Sequence, residues 1–581
     1  MKNKMFNRIY EMAKPHIKKI ILVIIVSFII TGLELLNPYL IKVIIDDYLS
    51  LGIHEKAGIT ISMIAFLYIA VVIISNSLTF LTTYITEFVG EKIVFDIRNR
   101  LFRFIENASV SFHDKTSSGK LFVRLTSDTE DISALFKDVI TSTIKDIIMI
   151  IAIIFIMLFL NVKLSLIVLS LVPVIALVSY YITTKLNNAY TYSKSIRTKL
   201  NTFIAESIYG IKLIKIFNRQ KEKETAFKKI SQSFYNSRKI TSVYEALLPG
   251  IMIIIENLAI SMIVFVCTKK LFNVELEIGV IYIFITYIKN IFAPINRIVD
   301  NVEVLQDSIV SINKIYEILD KEEYLENLDN GKYITNLKGK IEFRNVWFSY
   351  DKKNYVLKDV SFVINPKESI ALVGKTGSGK TTITNLINRF YEIDKGEILI
   401  DGVNIKDINL TSLRKNIGII LQDPFIFARS VKDNIKMNSE ISDKIIESSV
   451  KLSSADSFIS KYSDNLDHLL TERGESLSIG QKQLIAFARI FSHNPSIFIL
   501  DEATANIDTN TEKLIQKSVD IISEEKTSIF IAHRLSTIVN VDKIFVLDNG
   551  KIIETGNHKE LLKKGGYYSN LYNSYYNSLS N

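Results

Sequence analysis

One short stretch of the chain has the residue types and spacing that bind the phosphates of a nucleotide. It fits the pattern G-x-x-x-x-G-K-[ST], in which glycines allow backbone N–H groups to close around an anion. The lysine of such a loop reaches the β- and γ-phosphates, and the last hydroxyl can bind Mg²⁺. The residues are Gly374, Lys375, Thr376, Gly377, Ser378, Gly379, Lys380 and Thr381. Thr382 extends the candidate set, Lys375 is expected to face solvent, and the loop alone predicts only nucleotide binding.

Two adjacent carboxylates could complete the chemistry of such a site. The apolar run Ile497–Leu500 is followed by Asp501 and Glu502. Asp501 is placed to hold Mg²⁺, directly or through water, and Glu502 stands where a general base could take a proton from the attacking water. The alternative is a strand that merely ends in two acids, and the phosphate loop favours the catalytic interpretation.

The elements that must position these residues are short strands and helices. From about Leu337 the chain alternates short β-branched runs with helical patterns, which predicts an α/β domain. The run Ile370–Val373 reads as a buried strand that leads directly into the phosphate loop. A helix that starts near Lys380 would point the positive end of its dipole at the phosphates.

A second motif lies about a hundred residues after the phosphate loop. The segment Leu477-Ser478-Ile479-Gly480-Gln481 resembles the signature of ATP-binding cassette (ABC) proteins, where it caps ATP held by a partner subunit. The resemblance implies that Ser478, Gly480 and Gln481 contact ATP, that ATP and Mg²⁺ are the cofactors, and that the protein closes on ATP as a dimer. Ile479 departs from the glycine that is commonest there. That departure favours a heterodimer without excluding a homodimer.

Further residues match the ABC pattern in order and spacing. Tyr350 is similar to the aromatic residue that stacks on adenine, Gln422 to the glutamine that contacts Mg²⁺ and water, and His533 to the histidine that contacts the γ-phosphate. Glu472-Arg473-Gly474 resembles the loop that touches the cytoplasmic stalks of exporters, and Asn506-Ile507-Asp508 the segment that joins the two ATP sites. The resemblance thus implies a catalytic set of Lys380, Gln422, Glu502 and His533, and a metal set of Thr381, Gln422 and Asp501.

The first half of the chain is strongly apolar. Hydrophobic residues make up 48% of the 581 residues, and about 20 consecutive apolar residues cross the hydrocarbon core of a membrane. Six spans are predicted, at approximately Ile20–Ile45, Ile59–Thr86, Asp138–Leu160, Leu164–Thr184, Ala246–Thr268 and Ile278–Val299. The single cysteine, Cys267, excludes a disulfide within one chain.

The basic residues predict the orientation of these spans. Segments 1–19, 88–136 and 185–240 hold six, seven and thirteen Lys and Arg, whereas 46–57, 161–163 and 269–276 hold one, one and two. Both termini, the two long connections and the ATPase domain are therefore expected in the cytoplasm, for a multi-pass protein of a bacterial inner membrane. The net charge of +9 is explained by these loops, so no nucleic-acid partner is expected.

The predicted architecture has several domains, an all-α six-helix transmembrane bundle followed by an α/β P-loop ATPase. The two long basic connections keep helical periodicity, so the membrane helices are expected to continue as stalks. Segment 1–19 reads either as an amphipathic interfacial helix or as a solvated leader. The expected boundaries are 1–19, 20–320 for the transmembrane domain, 321–340 for a linker and 341–576 for the ATPase.

The membrane half also resembles ABC exporters. Segments 111–128 and 206–217 are similar to the two cytoplasmic coupling regions, and the resemblance spans nearly the whole chain. It implies a half-size exporter that pairs with a second half-transporter, identical or different, and moves amphiphilic drug-like, lipid or peptide substrates by alternating access. Lipid flipping and peptide export remain open within this fold, and a non-pumping ATP-gated channel or sensor is the alternative from another class.

Several polar residues fall inside the predicted spans, where a charge costs about 2.5–3.5 kcal/mol on insertion scales. They are Glu34, Glu256, Asn257, Lys289 and Asn290. Glu256 is the candidate for sensing cationic amphiphiles. The competing interpretation is a helix–helix hydrogen bond or an interfacial position.

Overall fold

The computed structural model describes residues 2–50, 55–56, 59–268, 277–321, 324, 326, 330–501, 507–531 and 538–579. The chain divides into two compact units. One unit comprises 1–106 and 116–322, and the other comprises 107–115 and 323–581. The segment 107–115 therefore belongs with the C-terminal residues, although in sequence it lies between the second and third apolar regions.

The first unit is built from long helices. Among the described residues, six helical stretches are long and apolar enough to cross a membrane. The predicted six spans are thereby confirmed, and the helices run well beyond them. The helices are α1 Lys2–Ala13, α2 Ile17–Val43, α3 Ile61–Asn107, α4 Val110–Lys115 (in the second unit), α5 Ser118–Leu125, α6 Ser127–Ala134, α7 Thr141–Leu160, α8 Val162–Leu169, α9 Val172–Tyr209, α10 Ile211–Ile216, α11 Gln220–Thr268 and α12 Ile278–Leu319.

Two π-helical stretches and a small hairpin complete the first unit. Ile44–Ser50 extends α2 and Leu135–Ile140 precedes α7. The strands β1 Glu55–Lys56 and β2 Ile59–Thr60 pair antiparallel. Segment 1–19 is helical from its second residue, while its predicted contact with a membrane surface stays a prediction.

The core of the first unit lies where α2, α7, α9, α11 and α12 meet. Ile153, Ile263 and Phe284 are fully buried there, on three different helices. The buried Tyr287 donates its hydroxyl to the Leu35 carbonyl at 2.9 Å, which satisfies a polar atom inside an apolar bundle. Because many remaining apolar side chains point outward, the bundle has the exterior of a membrane protein.

The second unit is an α/β domain with two sheets. The larger sheet has the strand order β12-β11-β5-β10-β9-β8, parallel except for β12, and the smaller antiparallel sheet has the order β4-β3-β6-β7. The strands are β3 Ile341–Phe348, β4 Leu357–Ile364, β5 Ser369–Val373, β6 Lys395–Ile400, β7 Val403–Asn404, β8 Ile417–Ile420, β9 Ile497–Asp501, β10 Thr527–Ile531, β11 Lys543–Asp548 and β12 Lys551–Gly556. The helices are α13 Lys380–Ile387, α14 Leu410–Lys415, α15 Val431–Lys436, α16 Asp443–Leu452, α17 Asp456–Ile459, α18 Ile479–His493, α19 Thr509–Glu525, α20 His558–Lys564 and α21 Tyr567–Leu579.

Alternating residues of the buried strands divide between two cores. On β5, Ile370 and Leu372 face the core shared with the antiparallel sheet and α13, and Ala371 and Val373 face the core shared with α15 to α19. A strand covered on both faces must be apolar at every position, which explains the unbroken run 370–373. This double packing fixes the strand end that carries the phosphate loop.

Candidate functional site

Three predicted segments converge at one edge of the larger sheet. Leu372 of β5 pairs with Ile531 of β10, Ile531 pairs with Asp501 of β9, and Leu500 pairs with Ile420 of β8. The phosphate loop, the first carboxylate and the loop that carries Gln422 therefore all leave the carboxyl ends of parallel strands, where ligands bind in sheets of this kind.

The phosphate loop has the backbone of an anion cradle. Gly374, Gly377 and Gly379 all have positive φ values of 157°, 82° and 105°. Gly379 precedes the first turn of α13, so the N–H groups of that turn point toward the loop. At Gly374 an added Cβ would lie 2.2 Å from the Leu547 carbonyl oxygen, which makes glycine obligatory there.

Two side chains of the loop identify what it can hold. The Lys380 ammonium donates to the carbonyls of Gly374 and Lys375 at 2.7 and 3.1 Å. The Ser378 hydroxyl is buried and has no hydrogen-bond partner among the described residues. Since a buried unpaired hydroxyl is costly, an external acceptor such as a phosphate oxygen fits it. Lys375 and Thr376 are exposed, and so is Thr381 at the start of α13.

An aromatic platform stands beside this loop. The Tyr350 hydroxyl lies 3.1 Å from the hydroxyl of the buried Thr382. The Tyr350 ring meets the edges of Phe348 and Tyr391, with centroids 4.8 and 4.9 Å away. These contacts hold the ring while 42% of Tyr350 stays exposed, so a face of the ring is open for a base to stack on it.

The ABC-like signature opens helix α18. Ser478 caps the helix: its hydroxyl accepts from the Gln481 N–H at 3.2 Å, and the Gln481 side chain accepts from the Ser478 N–H at 3.0 Å. Ser478 is exposed and Gly480 is buried. A Cβ on Gly480 would lie 2.4 Å from Cγ2 of Thr511, whereas Ile479 points outward and is 42% exposed. The departure at 479 thus leaves the packing of the motif intact.

The neighbourhood of Gln422 contains a residue that the sequence analysis missed. Arg489 of α18 donates to the carbonyls of Asn434 and Phe425 at 2.6 and 2.9 Å, which ties the signature helix to the loop just after Gln422. Burial lowers the pKa of Arg489 to about 10, so it stays protonated at neutral pH. A lone arginine inside the apolar stretch 484–491 was the signal available in the sequence. Gln422 itself is exposed.

The loop Glu472–Gly474 packs next to this segment. Gly474 is buried with φ 60°, and an added Cβ would stand 3.0 Å from Cβ of Ile426. Arg473 has a left-handed backbone with φ 53° and is exposed. The positions of Gly474 and Ile426 link this loop to the segment that follows Gln422.

The segment 107–115 touches the platform from another side. Tyr391, whose ring meets Tyr350, donates its hydroxyl to the Asp114 carboxylate of α4. The Ser109 N–H donates to the Tyr324 carbonyl at 2.8 Å. These contacts form a short path from Tyr350 through Tyr391 to a segment that the sequence places between two membrane helices.

The oxygen donors at the strand edge fit Mg²⁺. They are the Thr381 hydroxyl, the Asp501 carboxylate and the Gln422 amide, and hard oxygen ligands are those that Mg²⁺ prefers. No three His, Cys, Asp or Glu side chains come together as metal ligands in the described part of the chain. An ion at this edge would therefore depend on nucleotide oxygens for the rest of its shell. An ion held here with ATP would neutralise negative charge on the phosphates.

Two predicted catalytic residues, Glu502 and His533, lie outside the described residues, as does Asn506. Asp508 caps α19 by accepting from the Thr511 N–H at 3.0 Å, and this bond lowers the pKa of the Asp508 carboxyl. In the membrane unit Glu256 is half-buried on α11, whereas Glu34 pairs with Lys145 at 3.1 Å.

The fold and this site define a P-loop ATPase fused to six membrane-crossing helices. Two family models match the chain, "ABC transporter transmembrane region" over residues 20–295 and "ABC transporter" over 357–505. An ABC transporter ATP-binding protein of Streptococcus pneumoniae, exp8, is 37% identical over 544 residues, which cover 93% of this chain and 92% of that protein. A Bacillus subtilis protein named for multidrug export, YgaD, is 30% identical over 97% of this chain and 98% of its own length.

A solved structure of a bacterial Atm1-family ABC exporter with ATP bound is similar over 97% of this chain and 98% of its own, with a TM-score of 0.78 and 25% identity. The chain belongs to the ABC transporter family, as the sequence predicted. It is an ATP-hydrolysing exporter of half size, whose fold implies a dimer in a membrane. The similarities favour this function over the ATP-gated channel or sensor.

Proposed function

We propose that the ATPase unit holds Mg-ATP between its own phosphate loop and the Ser478 motif of a second half-transporter. The observation that carries the proposal is the buried, unpartnered Ser378 hydroxyl in a loop whose glycines open their N–H groups to an anion. Lys380 neutralises the β- and γ-phosphates, and the exposed face of Tyr350 stacks on adenine. Thr381, Gln422 and Asp501 hold the ion. The exposed Ser478 reaches the γ-phosphate of ATP on the partner.

Each hydrolytic step then has a residue of this chain assigned to it. Glu502 takes the proton from the attacking water, His533 contacts the γ-phosphate, and Gln422 orients the water. Closing of the dimer on ATP draws the stalk helices together and opens the pathway outward. Loss of the γ-phosphate releases the clamp and resets the protein.

The contact of Tyr391 with Asp114 supports a coupling role for the segment 107–115. A base stacked on Tyr350 fixes the ring that Tyr391 touches edge-on, and Tyr391 holds the carboxylate of α4. We assign to this path a part in carrying nucleotide occupancy toward the membrane helices. The domain boundaries 20–320, 321–340 and 341–576 remain part of the proposal, and residues 322–323, 325 and 327–329 of that linker lie outside the described residues.

The exported compounds are proposed to be amphiphilic, drug-like, lipid or peptide. Relatives such as YgaD, which is named for multidrug export, support this class. The asymmetry of basic residues supports a bacterial cell membrane with both termini and the ATPase unit in the cytoplasm.

The test is to purify the chain alone in nanodiscs and measure its mass together with Mg-ATP hydrolysis, with Glu502→Gln as the blank. We expect a dimer whose hydrolysis is lost in that variant and on removal of Mg²⁺ by EDTA. A monomer, or a dimer without turnover, would contradict an active homodimer. It would point to a different second subunit, which Ile479 in the signature motif also favours. Hydrolysis that persists in EDTA would contradict the metal assignment.

A further inference from the structure

The membrane unit contains a polar cavity that the sequence analysis did not predict. Its volume is about 470 Å³, within the range of small-molecule sites. Residues from three membrane-crossing helices line it, and four of its side chains are charged. The polar members are Glu34 and Asn37 of α2, Ser142, Lys145 and Asp146 of α7, and Asn290 and Arg297 of α12.

The four charges form two ion pairs between helices. Arg297 donates through Nε to Asp146 Oδ2 at 3.1 Å and through Nη2 to Oδ1 at 2.5 Å. Lys145 donates to Glu34 Oε1 at 3.1 Å. Since ionised groups are costly in hydrocarbon, the pairing alone has a structural explanation, because it holds α7 against α2 and α12.

Asp146 and Arg297 differ sharply in the exposure of their side chains. A pair that only held the helices together would not need this difference. The Asp146 side chain is 2% exposed and the Arg297 side chain 51%. A guanidinium has five N–H donors, and the Asp146 carboxylate engages two of its nitrogens. The remaining donors of Arg297 border the cavity. The buried Asp146 carboxylate is thus engaged by Arg297, whose guanidinium it orients.

The second pair leaves further donors at the cavity. Lys145 has three N–H donors, one of which Glu34 accepts, and both side chains are partly exposed. The four charges sum to zero, but with Asp146 covered the accessible groups are two cations and one carboxylate. The Asn37 carbonyl oxygen is buried and has no partner within the described residues, which provides one acceptor for a ligand hydroxyl.

We propose that this cavity binds an acidic head group, a carboxylate or phosphate, of the amphiphiles that the protein exports. The inference rests on the proposed export of amphiphiles and narrows its substrate class. The planar guanidinium of Arg297, which Asp146 orients, matches the paired oxygens of such a group, and Lys145 adds a point charge. Met149, Ala293 and Pro294 give the cavity an apolar wall, and ionic contacts are stronger beside apolar surface than in open water.

The test measures equilibrium binding to the full-length protein in nanodiscs without nucleotide. The probes are a BODIPY-labelled dodecanoic acid, its methyl ester and a trimethylammonium analogue of the same length. We expect the acid to bind at least tenfold tighter than either analogue. Acetate and inorganic phosphate, which lack the apolar tail, should not displace the acid at concentrations where unlabelled dodecanoic acid does.

The key variant is Asp146→Asn with Arg297→Gln, which removes both charges of the pair and leaves no buried ion alone. We expect about a tenfold loss of affinity for the acid and unchanged binding of the ester, which also reports correct folding. Arg297→Lys keeps the positive charge but loses the two-donor geometry of the guanidinium. Its affinity for the acid should lie between those of the unchanged protein and the double variant. The matched control is Lys194→Gln with Asp307→Asn, which neutralises a pair at 2.9 Å outside the cavity lining and should leave the preference for the acid intact.

Three results would overturn the proposal. They are equal binding of the three probes, unchanged binding of the acid in the double variant, and displacement by free phosphate as effective as by the acid. The export function is tested separately by ATP-driven uptake of the same acid into proteoliposomes. Selective binding without uptake would contradict export and leave the site standing, whereas uptake of all three probes alike would contradict the site and leave export standing.

Discussion

The nucleotide site and the charged cavity place their functional groups by opposite means. At the proposed nucleotide site, a run of eight residues would cradle the phosphates with its own backbone, while β9 ends in Asp501 and β8 leads to Gln422 at the same sheet edge. In the cavity, Glu34, Lys145 and Arg297 come from three helices far apart in sequence. A ligand held by backbone amides demands a contiguous pattern of glycines, whereas a ligand held by side chains demands only that distant helices pack correctly.

This difference predicts how each region responds to substitution. A change in the ATPase unit should act on turnover in an all-or-none manner, because one water, one base and one anion cradle serve a single step. A change in the membrane unit should act by degrees and according to ligand charge. The predictions that follow test this contrast, from the largest expected effect to the smallest.

The largest effect is expected for Glu502→Gln. Loss of a general base lowers a rate by about 10²–10⁴-fold, so ATP hydrolysis should fall at least about a hundredfold while ATP still binds. The closed dimer should accumulate with ATP, as measured by size-exclusion chromatography and nucleotide retention. Steady-state hydrolysis equal to that of the unchanged protein would remove Glu502 from the role of base.

The next effect is expected for Gly480→Ala, where the new methyl carbon would meet Cγ2 of Thr511 at 2.4 Å. Overpacking of this kind costs about 1–3 kcal/mol, so hydrolysis should fall about tenfold or more. The companion change Thr511→Ser removes that Cγ2 and should restore part of the activity. The neighbouring Ile479→Gly is the control, because Ile479 points outward, and its hydrolysis should stay close to the original. A Gly480→Ala protein with full activity would show that the motif tolerates movement of α19.

Much of the nucleotide site could be predicted from the sequence because its local rules are strong. Positive φ values at Gly374, Gly377 and Gly379 reflect what the glycine spacing already indicated, and the apolar run 370–373 leaves only a doubly covered strand. Arg489 was not predicted. Two of its acceptors, the carbonyls of Phe425 and Asn434, are backbone atoms 55 and more residues away, and backbone acceptors carry no side-chain signal.

In the membrane unit the helices could be predicted from the sequence, but the ion pairs between them could not. Hydropathy identifies six long apolar segments whatever their neighbours are. Whether Lys145 meets Glu34, or Asp146 meets Arg297, depends on how three helices rotate about their axes, which packing alone sets. The sequence therefore directed attention to Glu256 as an isolated charge, while the cavity is lined by charges that already have partners.

A smaller effect is expected for Tyr391→Phe, which tests whether the two regions communicate through the segment 107–115. The change keeps the ring against Tyr350 and removes the hydroxyl that Asp114 accepts. Hydrogen bonds to charged groups contribute about 1.5–3 kcal/mol. The stimulation of ATP hydrolysis by transported substrate should therefore fall severalfold, with little change in the KM for ATP.

Asp114→Asn should have a similar effect, and the double variant should be no worse than either single one, because both remove the same bond. Tyr355→Phe is the control, since that ring packs edge-on against Trp347, 5.2 Å away, in the same unit. Additive losses in the double variant would mean that the two residues act separately. Coupling would then have to pass through other contacts of α4.

The smallest effect is expected for Glu256→Gln, which tests a charged residue that lies outside the charged cavity. Glu256 is half-buried on α11 and is absent from the lining of the charged cavity, whose side chains come from α2, α7 and α12. A glutamine of the same size removes the charge and replaces one acceptor oxygen with N–H donors. Because Glu256 lies outside the cavity lining, uptake of both the acidic and the trimethylammonium probes should change less than about twofold, the effect of a group outside the site. A selective loss of trimethylammonium uptake would instead make Glu256 a ligand for cations. The membrane unit would then recognise two head-group classes at two places, and the preference for acids would describe the cavity of α2, α7 and α12 rather than the whole pathway.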